Sequence, residues 1–175
     1  ANGLIALGLR PGDRVALMLP SHPDHIICIF ALAKVGLVRV PVNTSLVGPS
    51  LAYPFEAFAV DALIADVAHA DALAPVLAER ALRTVIWRGG DGATTLEALL
   101  RHPDASPPKV APRADDIIAI TPSSGTTGAP KGVLKSDRTL RAGPMATLRL
   151  TGAQPGETFM FWEAMHHGAG VAVLI

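Results

Sequence analysis

Four short apolar runs recur through the first half of the chain, each parted from the next by a stretch of helix length. They are "VALML" (Val15 to Leu19), "LVRVPV" (Leu37 to Val42), "ALIA" (Ala62 to Ala65) and "TVIW" (Thr84 to Trp87). Runs with so little polar alternation are what strands buried on both faces look like. Between them lie "DHIICIFALAKV", closed by Gly36, then "SLAYPFEAF", disturbed by Pro54, then the alanine-rich "HADALAPVLAER". Strands alternating with helices imply an α/β fold with at least partly parallel sheets. The first of these helices is apolar almost all round, which predicts a buried helix. Ser21, Pro23 and Asp24 give it a start resembling a capping box.

The pattern weakens from Arg88 to Asp115, where glycines and prolines mark loops around one short helix near Leu96 to Leu100. "DIIAI" then predicts a buried strand that runs straight into "TPSSGTTGAPKGVLKS", with "GVLKS" as a second short strand. "DRTLRAGPMATLRL" reads as a helix interrupted at Gly143-Pro144, "ETFMFW" as a strand, and "HHGAGVAVLI" as the start of another helix.

The loop is the chemical centre of the sequence. Gly125, Gly128 and Gly132 allow sharp turns and close approach to a ligand. Ser123, Ser124, Thr126 and Thr127 supply hydroxyls, and Lys131 a cation, just past the stiffening Pro130. A run of Gly, Ser and Thr is ordinarily a solvated linker. This order, ending on a lysine, instead makes an anion nest suited to phosphate. It is not a Walker loop: Pro130 precedes the lysine and Gly132 follows it, so the required Gly-Lys-Ser/Thr is missing.

"SSGTTGAPKGV" closely resembles the phosphate-binding signature of the adenylate-forming enzymes, Tyr-Thr-Ser-Gly-Thr-Thr-Gly-x-Pro-Lys-Gly-Val. The likeness extends along the chain. "GLRPGDRVALMLPSHPDHIICIFALAKVGLVRVPVNTSL" resembles the opening of their large domain. "PRADDIIAI" resembles the lead-in to the loop, and "EAMHHGAG" a downstream Pro-Leu-Phe-His-x-x-Gly segment, with His167 at the histidine position. "PVNTSLVGPSLAY" leans toward the carnitine-CoA ligase and fatty-acid transport branch.

The resemblance implies a two-step ligase using ATP, Mg²⁺ and coenzyme A. A carboxylic acid becomes an acyl-adenylate with release of pyrophosphate, and a thiol then displaces AMP. Ser123, Ser124, Gly125, Thr126, Thr127, Gly128 and Lys131 would hold the nucleotide phosphates, and His167 would lie by the acyl pocket. Pro122 and Ser123 depart from the usual first two residues, Asp137 stands where histidine is common, and Glu163-Ala164 replaces an apolar-proline pair. Family segments for adenine, ribose and the late catalytic lysine do not occur in the sequence. We therefore expect residues 1–175 to be a partial N-terminal domain, cut at both ends and inactive alone, with the small C-terminal domain absent. Two other readings stay open: a non-catalytic nucleotide- or acyl-binding remnant, and a truncated product that folds poorly or only as an oligomer.

The 15 basic and 15 acidic side chains balance, so bulk charge points to neither nucleic acid nor a membrane surface. Cys28 is the sole cysteine, which excludes an intrachain disulfide and, in its apolar helix, reads as core. No apolar run is long enough to span a membrane, and a cytoplasmic location is the default expectation. His22 and His25 have helical i, i+3 spacing, but a capping turn accounts for them better than a metal site. His166 and His167 adjoin and are expected to point apart. Trp87 and Trp162 read as packing at strand ends. Lys135, Arg138, Arg141 and Arg149 form a basic stretch, either a solvated helix face or a contact near phosphate or coenzyme A.

Overall fold

The computed structural model describes residues 1–91, 94–123, 130–158, 160 and 162–172. Among them, six strands form one sheet in the order β4-β3-β1-β2-β5-β6. The strands are β1 (Arg14–Met18), β2 (Val38–Pro41), β3 (Ala62–Asp66), β4 (Thr84–Arg88), β5 (Ile117–Ser123) and β6 (Lys131–Ser136). Neighbours from β4 to β5 pair in parallel; β6 returns antiparallel to β5. The helices are α1 (Asn2–Ala6), α2 (Pro23–Lys34), α3 (Gly48–Ala57), α4 (Ala70–Glu79), α5 (Leu96–Leu100), α6 (Asp137–Thr151) and α7 (Gly168–Ala172). The α/β alternation read from the sequence is thus the architecture.

Successive residues of a strand face opposite sides, and here both sides are covered. Val15, Leu17, Ile64 and Ile86 join Cys28, Ile29 and Leu32 of α2 in one core. Ala16, Met18, Leu63 and Ala65 join Leu51 and Phe55 of α3, and Leu73 and Val76 of α4, in a second. A third, smaller core of Val38, Val40, Phe58 and Ile120 sits where β2 meets β5.

Several local expectations need correction. Helix α2 is not buried all round: Ile27 and Phe30 are 46% and 49% exposed. The sheet covers only one side of a helix, whatever the composition of the other. Its cap is His22 rather than Ser21: the His22 Nδ1 accepts the Asp24 amide at 3.1 Å, with Pro23 in the first turn. Helix α6 runs unbroken through Gly143-Pro144. A capping box of Ser136 and Thr139 fixes its start and a left-handed Gly152 its end; proline's φ suits a helix, and only one backbone hydrogen bond is forfeited. Helix α3 likewise continues through Pro54. The described residues of "ETFMFW" form no strand, and Trp162, 77% exposed, packs no core. Ile117, at the start of β5, is 36% exposed, so that strand is buried only at Ala119 and Ile120.

Candidate functional site

Strand β5 delivers Ser123 to its end, and β6 begins at Lys131. The two residues are register partners, followed inward by Pro122 with Gly132 and Thr121 with Val133. The Ser123 Oγ donates to the Lys131 carbonyl at 3.1 Å and so ties the mouth of the hairpin. Ser124, Gly125, Thr126, Thr127 and Gly128 lie outside the described residues. In an open parallel sheet ligands gather beyond the carboxyl ends of the strands, and the loop springs from that end of β5. Lys131 is exposed, and among the described residues it makes no ion pair.

Gly132 has a different duty from the one its sequence position implied. A Cβ there would come within 2.7 Å of both Ile120 Cγ2 and Phe58 Cε1. The glycine lets β6 close on the third core, so packing rather than ligand approach demands it. The Tyr53 hydroxyl reaches the same end of the hairpin and donates to the Pro130 carbonyl at 2.6 Å.

A cavity of about 470 Å³ opens beside the hairpin mouth, lined by Asn43, Tyr53, Pro122, Pro130, His166 and His167 among others. His167 therefore shares a cavity with Pro122 and Pro130, which flank the loop. The neighbouring histidine also faces this cavity, contrary to expectation: the two rings stack tilted, 4.2 Å between centroids. Burial and the adjacent His167 hold the His166 imidazole below its usual range. The segment folds back tightly, and a side chain at Gly170 would strike the Ala164 carbonyl.

Tyr53 and His166 are the site residues that sequence reasoning missed. One signal was available: Tyr53 is the only tyrosine in the chain. Expecting Pro54 to disturb α3 concealed which face of that helix it occupies. The metal reading of His22 and His25 gains no support, since no cluster of three ligand-type side chains occurs among the described residues. The basic stretch is partly engaged in surface pairs: Arg138 binds Asp115 at 2.6 Å and Arg141 binds Asp137 at 2.8 Å.

A separate cavity of about 520 Å³ lies between α2, β5 and α6, around Arg39. Arg39 is 4% exposed, its Nη1 has no partner among the described residues, and burial pushes its pKa down to about 10.

The model of one family, described as AMP-binding enzyme, matches residues 1–175, the whole chain. The chain belongs to the AMP-binding enzyme family. A feruloyl-CoA synthase from Amycolatopsis is 32% identical over 174 residues, covering 99% of this chain and 33% of the relative. The long-chain-fatty-acid–CoA ligase FadD13 of Mycobacterium tuberculosis is 28% identical over 177 residues, covering 100% of this chain and 35% of the relative. The chain thus spans about a third of the length of these curated relatives. The solved structure of ATP-bound MatB from Rhodopseudomonas palustris superposes with a TM-score of 0.85 at 26% identity, covering 99% of this chain and 34% of that one. No helix among the described residues is long and apolar enough to cross a membrane.

Proposed function

We propose that residues 1–175 supply the ATP-phosphate site of an AMP-forming acid–thiol ligase, as part of the large N-terminal domain of such an enzyme. The observation that carries this reading is the tied hairpin mouth, with Ser123 and Lys131 paired on either side of the Ser-Gly-Thr-Thr-Gly-x-Pro stretch of the family's phosphate signature. Family membership and an ATP-bound structural neighbour support it.

In this reading Ser123, Ser124, Thr126 and Thr127 offer hydroxyl donors to the triphosphate, while Gly125 and Gly128 let backbone amides approach it. Lys131 places its ammonium where charge accumulates on the departing pyrophosphate. The acid's carboxylate oxygen attacks the α-phosphorus, the bond to pyrophosphate breaks, and an acyl-adenylate forms. A thiolate, from coenzyme A in this reading, then attacks the acyl carbon and AMP leaves. The loop's share is to orient the triphosphate for in-line attack. When bound with the nucleotide, Mg²⁺ would neutralise part of the phosphate charge; no residue of this chain is assigned to hold it. The largely apolar cavity beside His167 would take the body of the acid, which fits aryl and alkyl carboxylates alike. ATP and coenzyme A are intracellular cofactors, and the proposed location is cytoplasmic.

The test is ATP–pyrophosphate exchange by the full-length gene product, over a panel of aryl and alkyl carboxylic acids. Acid-dependent exchange is expected with at least one. Exchange with none would sink the proposal, and ATP binding without pyrophosphate release would mark a non-catalytic remnant. Lys131→Ala should lower the exchange rate by about a hundredfold or more. Its melting temperature should barely change, because the side chain is exposed.

A further inference from the structure

We propose that Tyr53 is a positioning residue for the phosphate-binding hairpin: from α3, its hydroxyl anchors the peptide plane that leads into Lys131. The inference rests on the ligase reading above and adds a residue outside the loop to it.

The geometry is specific to Lys131. A peptide unit is planar, so a hydrogen bond to its carbonyl also orients the amide on its far side. The Tyr53 Oη holds the Pro130 carbonyl at 2.6 Å, and that plane ends on the Lys131 nitrogen and Cα. The next plane begins with the Lys131 carbonyl, which accepts from the Ser123 Oγ at 3.1 Å. Both planes flanking the lysine Cα are therefore pinned, one from inside the hairpin and one from a helix distant in sequence. Two soft torsions meet at that Cα, and pinning both planes sets the direction in which the lysine side chain departs.

The strut itself is braced. The Tyr53 ring stands edge-on to Phe58, 82° between planes and 6.2 Å between centroids. Phe58 in turn fills the space a side chain at Gly132 would need. Pro130 cannot donate, so its carbonyl is its only backbone hydrogen-bonding group, and Tyr53 takes it. For a lysine that acts as a point charge on a flexible stem, a fixed origin is what converts proximity into orientation.

Tyr53→Phe deletes the hydroxyl and keeps the ring. In the full-length gene product, with an acid that supports exchange, it should lower kcat/KM for ATP by roughly five- to tenfold. The melting temperature should stay at its wild-type value, and KM for the acid, whose proposed cavity the retained Tyr53 ring also lines, should change by much less than kcat/KM for ATP. In a Lys131→Ala background the same substitution should cost less than about twofold, because the two changes act on one residue. An unchanged kcat/KM for ATP in Tyr53→Phe would overturn the proposal. So would an equal loss in the Lys131→Ala background, or a fall in melting temperature with both KM values rising together, which marks a merely structural role. Absence of exchange in the wild type defeats the ligase reading and this inference together; exchange in the wild type with no effect of Tyr53→Phe defeats this inference alone.

Discussion

Burial holds the His25 imidazole neutral down to a pKa of about 4, against the pull of the Pro20 carbonyl, and nearby Arg39 adds to the depression. The ring is 1% exposed, and its Nδ1 lies 3.1 Å from that carbonyl, which leaves Nε2 without a partner among the described residues. An unfolded histidine takes up its proton near pH 6.5. Between that value and about 4 the unfolded chain binds more protons than the folded one. The stability His25 confers is therefore complete above pH 6.5 and falls as the pH is lowered, by up to about 3 kcal/mol. Urea titrations across this window should show the slope, and His25→Leu should flatten it; an undiminished slope in the variant would place the acid sensitivity elsewhere. Some single-residue roles were plain in the sequence. Cys28 was expected in the core and is 3% exposed, its thiol pushed up to about 12 by burial. Arg39 was not: an arginine between valines in a strand looks like an edge residue, and only the sheet order shows it enclosed between β1 and β5.

Strands β1 to β4 were the most legible elements, because burial on both faces leaves an apolar run that little else produces. Helices were harder. The composition of α2 could not reveal that a sheet shields only one of its sides, and the prolines in α3 and α6 read as breaks because the support of their flanking turns is tertiary or at the caps. The β5–β6 hairpin shows the same limit. Its order of residues announced an anion site, yet the glycine of its second strand answers to Phe58, a residue with no visible link to it in sequence. Gly132→Ala tests that packing of β6 on Phe58, just past the end of α3. Overpacking of this kind costs about 1–3 kcal/mol, so the urea midpoint should fall accordingly, while trimming the obstruction with Phe58→Leu in the same chain should restore part of it. A neutral Gly132→Ala would return the glycine to a role in ligand approach.

Across the whole molecule, the parallel strands β1 to β4 pair in register over four or five residues each, whereas β5 pairs in register with β2 at one position, Arg39 with Ala119, and otherwise joins it through the small core of Val38, Val40, Phe58 and Ile120. Residues far apart in the chain must meet to make that joint, and one of them, Arg39, is a buried cation whose Nη1 has no partner among the described residues. Proteins open in contiguous units whose free energies differ. The consequence is that this sheet should behave as two cooperative units rather than one. Native-state hydrogen exchange should find the amides of β1 and β3 opening only with global unfolding, and those of β5 and β6 opening earlier and together. Equal protection on both sides of the joint would show a single unit. An early-opening pair would let the hairpin proposed to bind nucleotide adjust its pitch against a frame that stays intact, so that ligand occupancy would register as slowed exchange along β5 and β6 while β1 and β3 keep their rates.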